Sequence, residues 1–203
     1  FFLKLMLELQ SISKKFNSDI FINFSYRFDE SNFYFLRGPN GSGKSTLLKL
    51  IKGIYLCDSG EIYFDHYLDN KNDVVYIDGN SRTFFHRLTV RQNLDYFFSL
   101  QNKNKTKNSI DELLDFFKLL DLQNNLFSSL SQGQMQLVSI VRGMSFRPKV
   151  ILLDEVFSSL DTKNKKIIFS YLSDSLLKDR SLVIFTSHDE DHFDFKYNEL
   201  CLS

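Results

Sequence analysis

The chain carries the stretch Gly38-Pro39-Asn40-Gly41-Ser42-Gly43-Lys44-Ser45-Thr46 between the apolar run Phe33-Tyr34-Phe35-Leu36 and the helical pattern Leu47-Leu48-Lys49-Leu50-Ile51. This order of strand, glycine-rich turn and helix matches the phosphate-loop pattern G-x-x-x-x-G-K-[ST] at every fixed position. Glycines let backbone N–H groups approach an anion without an intervening Cβ, and a helix N-terminus directs partial positive charge at the same point. The stretch therefore predicts a nucleotide phosphate site.

Two residues at the end of this loop have chemistry that suits a nucleotide and its metal. Lys44 offers a full positive charge to the β- and γ-phosphates, and Ser45 offers a hydroxyl to Mg²⁺. A chance match to the motif in a chain of this length has a probability on the order of one per cent. The correct flanking patterns lower that figure further, so we expect a nucleotide bound with Mg²⁺.

Composition limits the remaining classes of function. The 203-residue chain has 25 basic and 25 acidic residues and no net charge, so no overall field attracts nucleic acid, and we expect no nucleic-acid partner. The two cysteines, Cys57 and Cys201, have neither metal-ligand spacing nor a disulfide framework, which is typical of a reducing, cytoplasmic compartment. We expect no signal peptide, and no apolar run approaches the roughly 18 residues that span a bilayer.

Hydrophobic periodicity predicts the elements around the loop. Strand patterns occur at 6–9, 21–28, 33–36, 61–64, 73–78, 150–153 and 181–186. Helical patterns occur at 44–52, 89–98, 134–146 and 162–178, and after a capping box at 109–112. We predict one α/β domain over residues 1–203: a phosphate-loop NTPase core with a mixed sheet flanked by helices, an N-terminal antiparallel β portion, and a small helical subdomain inserted at about 80–147.

Two adjacent carboxylates, Asp154 and Glu155, follow the buried strand at 150–153. Carboxylates at the end of a buried strand are costly unless something uses them. In a phosphate-loop fold this edge of the sheet faces the nucleotide. Asp154 would then hold Mg²⁺, directly or through water, and Glu155 would orient and deprotonate the attacking water. The alternative is an exposed acid pair without a function.

Three further motifs follow in a characteristic order. The segment Leu130-Ser131-Gln132-Gly133-Gln134 stands just before a helix and upstream of the strand that ends in Asp-Glu. The segment Ser158-Ser159-Leu160-Asp161 follows Glu155, and His188 follows the next buried strand. Together with the phosphate loop, these motifs resemble the ATPase subunit of ATP-binding cassette (ABC) transporters. The resemblance extends from about Leu7 to His188.

The resemblance implies an ATP hydrolase that works with Mg²⁺ as a pair of cassettes. Each ATP is expected between the phosphate loop of one chain and Ser131, Gly133 and Gln134 of the other, and Asp161 is expected to link the two sites. His188 is expected to contact the γ-phosphate. The implied catalytic residues are Glu155, His188 and Lys44. The phosphate loop contributes the nucleotide-binding residues Gly38, Pro39, Asn40, Gly41, Ser42, Gly43, Lys44, Ser45 and Thr46.

Two positions depart from the family pattern. The aromatic residue that stacks on adenine falls at Phe16, whose ring can stack but cannot form a hydrogen bond. The glutamine that reaches Mg²⁺ and the attacking water has no clear counterpart. Asn80 is the best match and keeps the amide on a shorter arm. Gly79, one residue earlier, is the other alignment and has no side chain to offer.

The resemblance also implies partners. We expect a homodimer, peripheral on the inner face of a membrane, that drives separate integral membrane permease subunits. The apolar cluster Phe84, Phe85, His86 and Leu88 is either the permease docking site or local packing. Alternatives are a soluble cassette acting on ribosomes or DNA, and a regulatory cassette that binds ATP without turning it over. The short length, with nothing after the strand at 181–186, resembles the haem-export ATPase of cytochrome c maturation.

Overall fold

The fold was analysed in a computed structural model that describes residues 5–65, 68, 73–79, 83–100, 110–187 and 195–203. Two predicted site residues, Asn80 and His188, lie outside the described residues, as does Ser109 of the predicted capping box. The remaining predicted site residues all lie within the described ranges.

The strands of the described residues form two sheets. The first is antiparallel, with the order β2-β1-β4, and contains β1 (Leu5–Lys15), β2 (Asp19–Asp29) and β4 (Ser59–Phe64). The second is parallel, with the order β5-β6-β7-β3-β8, and contains β3 (Phe33–Arg37), β5 (Val74–Asp78), β6 (Val150–Asp154), β7 (Leu182–Thr186) and β8 (Asn198–Cys201). The predicted α/β class is confirmed, and the two strand directions occupy separate sheets.

The helices are α1 (Lys44–Lys52), α2 (Val90–Ser99), α3 (Ile110–Phe116), α4 (Gln132–Met144) and α5 (Thr162–Asp179). Helix α3 is shorter than its apolar pattern predicts because Lys118 has a left-handed backbone with φ 56°, which a helix cannot continue through. None of the helices in the described ranges is both long and apolar enough to cross a bilayer.

Alternation along the parallel strands divides the interior into two cores, since successive side chains point to opposite faces of a sheet. One face packs against the helical segments and contributes Phe33, Phe35, Ile151, Leu153, Val183 and Phe185. The other face packs against α1 and the antiparallel sheet and contributes Tyr34, Leu36, Val150, Leu152, Leu182 and Ile184. Residues of α2, α3 and α4 share the first core with the sheet, so a separate helical subdomain at about 80–147 stays a prediction.

Strand β8 contradicts the expectation that nothing follows the strand at 181–186. It pairs in parallel with β3, from Tyr34 opposite Asn198 to Arg37 opposite Cys201. Only Leu200 of its four residues is buried, so the sequence of β8 shows no hydrophobic alternation. The strand lies at the edge of the sheet and is defined by its backbone hydrogen bonds to β3. The suggested likeness to a short haem-export cassette was based on the absence of a later strand, so β8 removes its basis.

The cluster proposed for docking divides into a buried and an exposed part. Phe84 is only 4% exposed and stacks on Phe127 with a centroid distance of 4.4 Å, so for this residue the alternative of local packing holds. The guanidinium of Arg142 also lies over the Phe84 ring, 4.5 Å from the ring centroid, and this contact holds the ring in place. Phe85 is 46% exposed and meets Tyr96 edge to face at 5.0 Å. Phe85 therefore stays available to a partner.

We expect the substitution Phe185→Ala to destabilise the fold strongly. Phe185 is fully buried on β7, and its ring stacks on Phe35 at 5.1 Å. Removing such a ring leaves a cavity and costs about 3–5 kcal/mol. The free energy of unfolding in urea measures this loss. The control Phe116→Ala changes a ring that is 39% exposed and should cost far less; equal losses would contradict the assignment of the core.

Candidate active site

The phosphate loop connects the end of β3 at Arg37 to the start of α1 at Lys44. Gly43 occupies the N-cap position of α1, and no side chain caps this helix. The first N–H groups of an α-helix have no partner within the helix. Because no side-chain oxygen takes up these donors here, they and the helix dipole are available to an anion in the loop.

Three glycines of the loop, Gly38, Gly41 and Gly43, have a positive φ, which favours glycine. Gly43 has φ 94°, and a Cβ at this position would lie 2.7 Å from Ile20 Cγ2 and 2.9 Å from Phe21 Cζ. Gly41 has φ 90°, but a Cβ there would meet nothing within 4 Å. The loop therefore packs tightly against β2 at Gly43. At Gly41 no neighbouring atom would obstruct an approaching ligand.

A cavity of about 150 Å³ lies in front of the loop. Its lining consists of Asn40, Gly41, Gly43, Lys44, Ser45, Thr46 and Glu155. Lys44 Nζ donates to the carbonyl oxygens of Gly38 at 2.6 Å and Pro39 at 3.0 Å, so the ammonium group folds back on the loop. The hydroxyl of Ser42 is buried and has no hydrogen-bond partner among the described residues. The cavity brings the predicted base, Glu155, to the predicted phosphate site.

Asp154, at the end of β6, is the centre of a hydrogen-bond network. Its Oδ1 accepts from Ser45 Oγ at 2.9 Å and from Thr186 Oγ1 at 3.0 Å, and its Oδ2 accepts from the Tyr76 hydroxyl at 2.7 Å. The carboxylate is only 6% exposed, and among the described residues hydroxyl groups rather than cations surround it. The sequence-predicted pair Ser45 and Asp154 is thus brought into direct contact.

This arrangement fits Mg²⁺ that is bound together with a phosphate. Mg²⁺ usually takes one or two protein oxygens and completes its octahedron with water and substrate phosphate. Ser45 and Asp154 offer such oxygens beside the loop. Over the described part of the chain, no three His, Cys, Asp or Glu side chains form a cluster that could hold a metal ion alone.

Glu155 has a left-handed backbone with φ 53°, an uncommon conformation for a residue other than glycine. Its N–H donates to Thr186 Oγ1 at 2.9 Å, and its carbonyl accepts from Ser158 Oγ at 3.2 Å. Such strain costs on the order of 1–3 kcal/mol and persists where the surroundings hold it. The turn it makes at the end of β6 directs its side chain towards the cavity while that of Asp154 stays buried.

Sequence reasoning missed the parts that Tyr76 and Thr186 play in this network. Burial, followed by the hydrogen bond to Asp154, raises the pKa of Tyr76 well above its ordinary value. The Tyr76 hydroxyl therefore stays protonated, and remains a donor, over the physiological pH range. The available signal was position: both residues lie on the strands on either side of β6, Tyr76 in the middle of β5 and Thr186 at the end of β7.

The segment Leu130–Gln134 lies apart from the cavity, whose lining includes none of its residues. Ser131 caps α4 in a capping box: its hydroxyl accepts from the N–H of Gln134 at 3.3 Å, and its own N–H donates to Gln134 Oε1 at 2.9 Å. A Cβ on Gly133 would lie 3.0 Å from the carbonyl oxygen of Ser159. Gly133 is therefore packed on the segment 158–161.

Asp161 and Phe16 also lie away from the cavity lining. Asp161 caps α5, where its Oδ1 accepts from the N–H of Asn164 at 2.7 Å. Phe16 is 50% exposed, meets Tyr55 edge to face at 5.4 Å, and has Lys14 Nζ 5.3 Å from its centroid. Phe16 thus stays half-exposed beside these two contacts, and its role in stacking stays a prediction.

The alternative position for the missing glutamine, Gly79, lies directly beside the network. Its N–H donates to the carbonyl oxygen of Asp154 at 3.1 Å, and a Cβ there would lie 3.3 Å from the carbonyl oxygen of Glu155. The chain therefore passes directly beside the acid pair at Gly79. Asn80 itself, like His188, is outside the described residues.

Comparisons with known proteins agree with this geometry. The ABC transporter family matches residues 21–158. The sulfate/thiosulfate import ATP-binding protein of Synechococcus elongatus is 32% identical over 195 residues, which cover 91% of this chain and 56% of that protein. Its namesake from Synechocystis sp. is 35% identical over 167 residues, covering 77% of this chain and 46% of that protein. The chain spans about half the length of the curated relatives it matches.

A solved structure agrees as well. The ADP conformation of an ATP-binding cassette of an ABC transporter is 25% identical and superposes with a TM-score of 0.73, covering 92% of this chain and 82% of that one. The fold described above, with its parallel and antiparallel sheets, is thus the fold of such cassettes.

We expect Gly43→Ala to impair the loop more than Gly41→Ala does. Both substitutions place a side chain at a positive φ, which costs about 1–2 kcal/mol. Only Gly43→Ala adds overlap with Ile20 and Phe21, for which about 1–3 kcal/mol more is typical. Unfolding in urea and titration with a fluorescent ATP analogue measure both effects. Equal urea midpoints for the two variants would show that the contact with β2 is unimportant.

Proposed function

The chain belongs to the ABC transporter family, and from this premise we propose that it binds ATP with Mg²⁺, hydrolyses it as a pair of cassettes, and drives a separate membrane permease. The observation that carries this proposal is the cavity at the phosphate loop, where Lys44, Ser45 and Glu155 meet. Cation, metal-binding hydroxyl and base thus share one small space.

The loop residues bind the triphosphate. The uncapped N–H groups at the start of α1 donate to phosphate oxygens. When the triphosphate binds, the Lys44 ammonium group leaves its two carbonyl partners and donates to phosphate oxygens instead. Hydrogen bonds between charged groups are stronger than those to neutral carbonyls. The half-exposed ring of Phe16 offers a face on which the adenine stacks.

Ser45 and Asp154 would hold the Mg²⁺ ion. When bound, this ion neutralises the charge that develops on the β- and γ-phosphate oxygens. Ser45 Oγ donates to Asp154 Oδ1 at 2.9 Å, so the two candidate ligand oxygens are adjacent. Asn80, outside the described residues, keeps its proposed role as the amide beside this pair.

Glu155 accepts the proton of the attacking water. A general base must stand within hydrogen-bond reach of that proton, and Glu155 supports this role because it lines the same cavity as the loop. The bonds from its N–H and to its carbonyl fix the backbone, so the carboxylate needs little reorganisation. His188 keeps its proposed contact with the γ-phosphate.

A second copy of the chain completes the site. Ser131, Gly133 and Gln134 begin a helix whose N-terminus suits an anion, yet they do not line the cavity of their own chain. In the proposed pair, this helix start approaches the phosphate loop of the other copy. Packing between Gly133 and Ser159 joins it to Asp161, which links the two sites.

Nucleotide binding becomes mechanical work because the γ-phosphate stabilises only the closed pair. The permease that receives this work is proposed to dock on an exposed apolar surface formed by Phe85, Tyr96 and Leu100, which are 46%, 43% and 65% exposed. Phe85 contacts Tyr96, and Leu100 follows Tyr96 by one helical turn. The pair of cassettes would work at the inner face of the membrane.

The substitution Glu155→Gln tests hydrolysis. It keeps shape and removes the basic oxygen, so we expect unchanged MgATP affinity, accumulation of the closed pair in size-exclusion chromatography, and turnover reduced at least about 100-fold. Phosphate release assays measure the turnover. The control Glu112→Gln alters an exposed carboxylate on α3 and should leave turnover unchanged. A Glu155→Gln protein with full turnover would remove Glu155 from the role of base.

Site-specific cross-linking tests the permease surface. A photoreactive phenylalanine analogue at position 85, in membranes that contain the partner, should yield an adduct with permease peptides by mass spectrometry. The control position is Tyr63, which is 45% exposed on the antiparallel sheet and should give no such adduct. Adducts from Phe85 that contain only this chain, or equal capture from Tyr63, would refute docking at this surface.

A further inference from the structure

The carboxylate of Asp154 is held from both sides by hydroxyl groups of the strands that flank β6. Tyr76 of β5 donates to Oδ2, and Thr186 of β7 donates to Oδ1. We propose that Tyr76 and Thr186 are positioning residues that set the orientation of the Asp154 carboxylate for Mg²⁺. This inference rests on the proposed nucleotide site and names two residues that set its metal affinity.

The register of the parallel sheet explains why these two side chains reach Asp154. Tyr76 lies opposite Leu152, and Asp78 lies opposite Asp154. Residues two apart on a strand share a face, so Tyr76 and Asp154 point to the same face of the sheet, and the long tyrosine side chain spans the diagonal. Thr186 ends β7 on that face as well, beside the start of α1 where Ser45 stands.

Tyr76 restricts the rotation of the carboxylate. The terminal torsion of an aspartate side chain is broad and roughly two-fold, so an unrestrained carboxylate samples many orientations. The hydrogen bond from Tyr76 at 2.7 Å fixes Oδ2, and Oδ1 is then directed at Ser45. Preorganising a ligand oxygen in this way raises metal affinity because less freedom is lost on binding. Tyr76 touches neither Glu155 nor the loop in the described hydrogen bonds.

Thr186 connects the metal residue to the base. Its single hydroxyl donates to Asp154 Oδ1 and accepts from the N–H of Glu155 at 2.9 Å. The residue is fully buried, so no water replaces these bonds readily. Loss of this hydroxyl should therefore disturb both the carboxylate of Asp154 and the strained backbone of Glu155, whereas loss of the Tyr76 hydroxyl should disturb only the first.

The test compares Tyr76→Phe, Thr186→Val and Thr186→Ser with the unaltered protein. The primary readout is the affinity for a fluorescent ATP analogue, titrated in EDTA and over a series of Mg²⁺ concentrations. We expect unchanged affinity in EDTA for all variants, which also shows that they fold. For Tyr76→Phe and Thr186→Val, the Mg²⁺ concentration that gives half of the gain in nucleotide affinity should rise about tenfold. This shift corresponds to the loss of one hydrogen bond to a charged group.

Turnover at saturating Mg²⁺ separates the two roles. Tyr76→Phe should regain nearly full turnover, Thr186→Val should stay well below it, and Thr186→Ser should restore both Mg²⁺ dependence and turnover. The control Tyr34→Phe removes another buried tyrosine hydroxyl, which accepts from the N–H of Asp29 at 3.1 Å. It should lower stability and leave the Mg²⁺ dependence unchanged.

Two negative results have different meanings. If Tyr76→Phe and Thr186→Val show the Mg²⁺ dependence of the unaltered protein, the positioning role is refuted and the nucleotide site stands. If the unaltered protein itself shows no binding that depends on Mg²⁺, the proposed function fails. If Tyr34→Phe raised the required Mg²⁺ concentration as much as Tyr76→Phe does, the effect would come from a general loss of stability, and the inference would be overturned.

Discussion

The hydrogen bond between Ser45 Oγ and Asp154 Oδ1 joins segments that are 109 residues apart in the chain. It exists because β3 and β6 are parallel strands of one sheet, so both end at the same edge. Burying a carboxylate is costly unless its oxygens are hydrogen-bonded. Three hydroxyl groups offset that cost for Asp154, because each donates a hydrogen bond to one of its carboxyl oxygens.

The strand order determines which residues can join this network. Because β7 lies between β6 and β3, Thr186 stands between Asp154 and the phosphate loop. Strand β5 lies on the other side of β6 and supplies Tyr76. At the far edge, the residue that follows β8 packs against the loop: a Cβ on Gly38 would lie only 2.3 Å from the carbonyl oxygen of Leu202.

The predicted site residues of one chain lie in two separate places. The phosphate loop and Glu155 line one cavity, whereas Ser131 and Gly133 start α4 elsewhere, packed on the segment that leads to Asp161. The capping box explains how Ser131 stays satisfied in a single chain, since its hydroxyl already has the N–H of Gln134 as a partner. An anion brought by a second copy would meet a helix start that is formed in advance.

The sequence by itself determined the phosphate loop, the strand that ends in Asp154 and Glu155, and the α/β class, because local periodicity and fixed motif spacing encode them. It did not reveal β8, the burial of Phe84, or the hydroxyl groups of Tyr76 and Thr186 around Asp154. Those features were decided by the tertiary structure alone. Strand order and register bring residues together that are distant in the chain, and neither leaves a periodic signal in a single sequence.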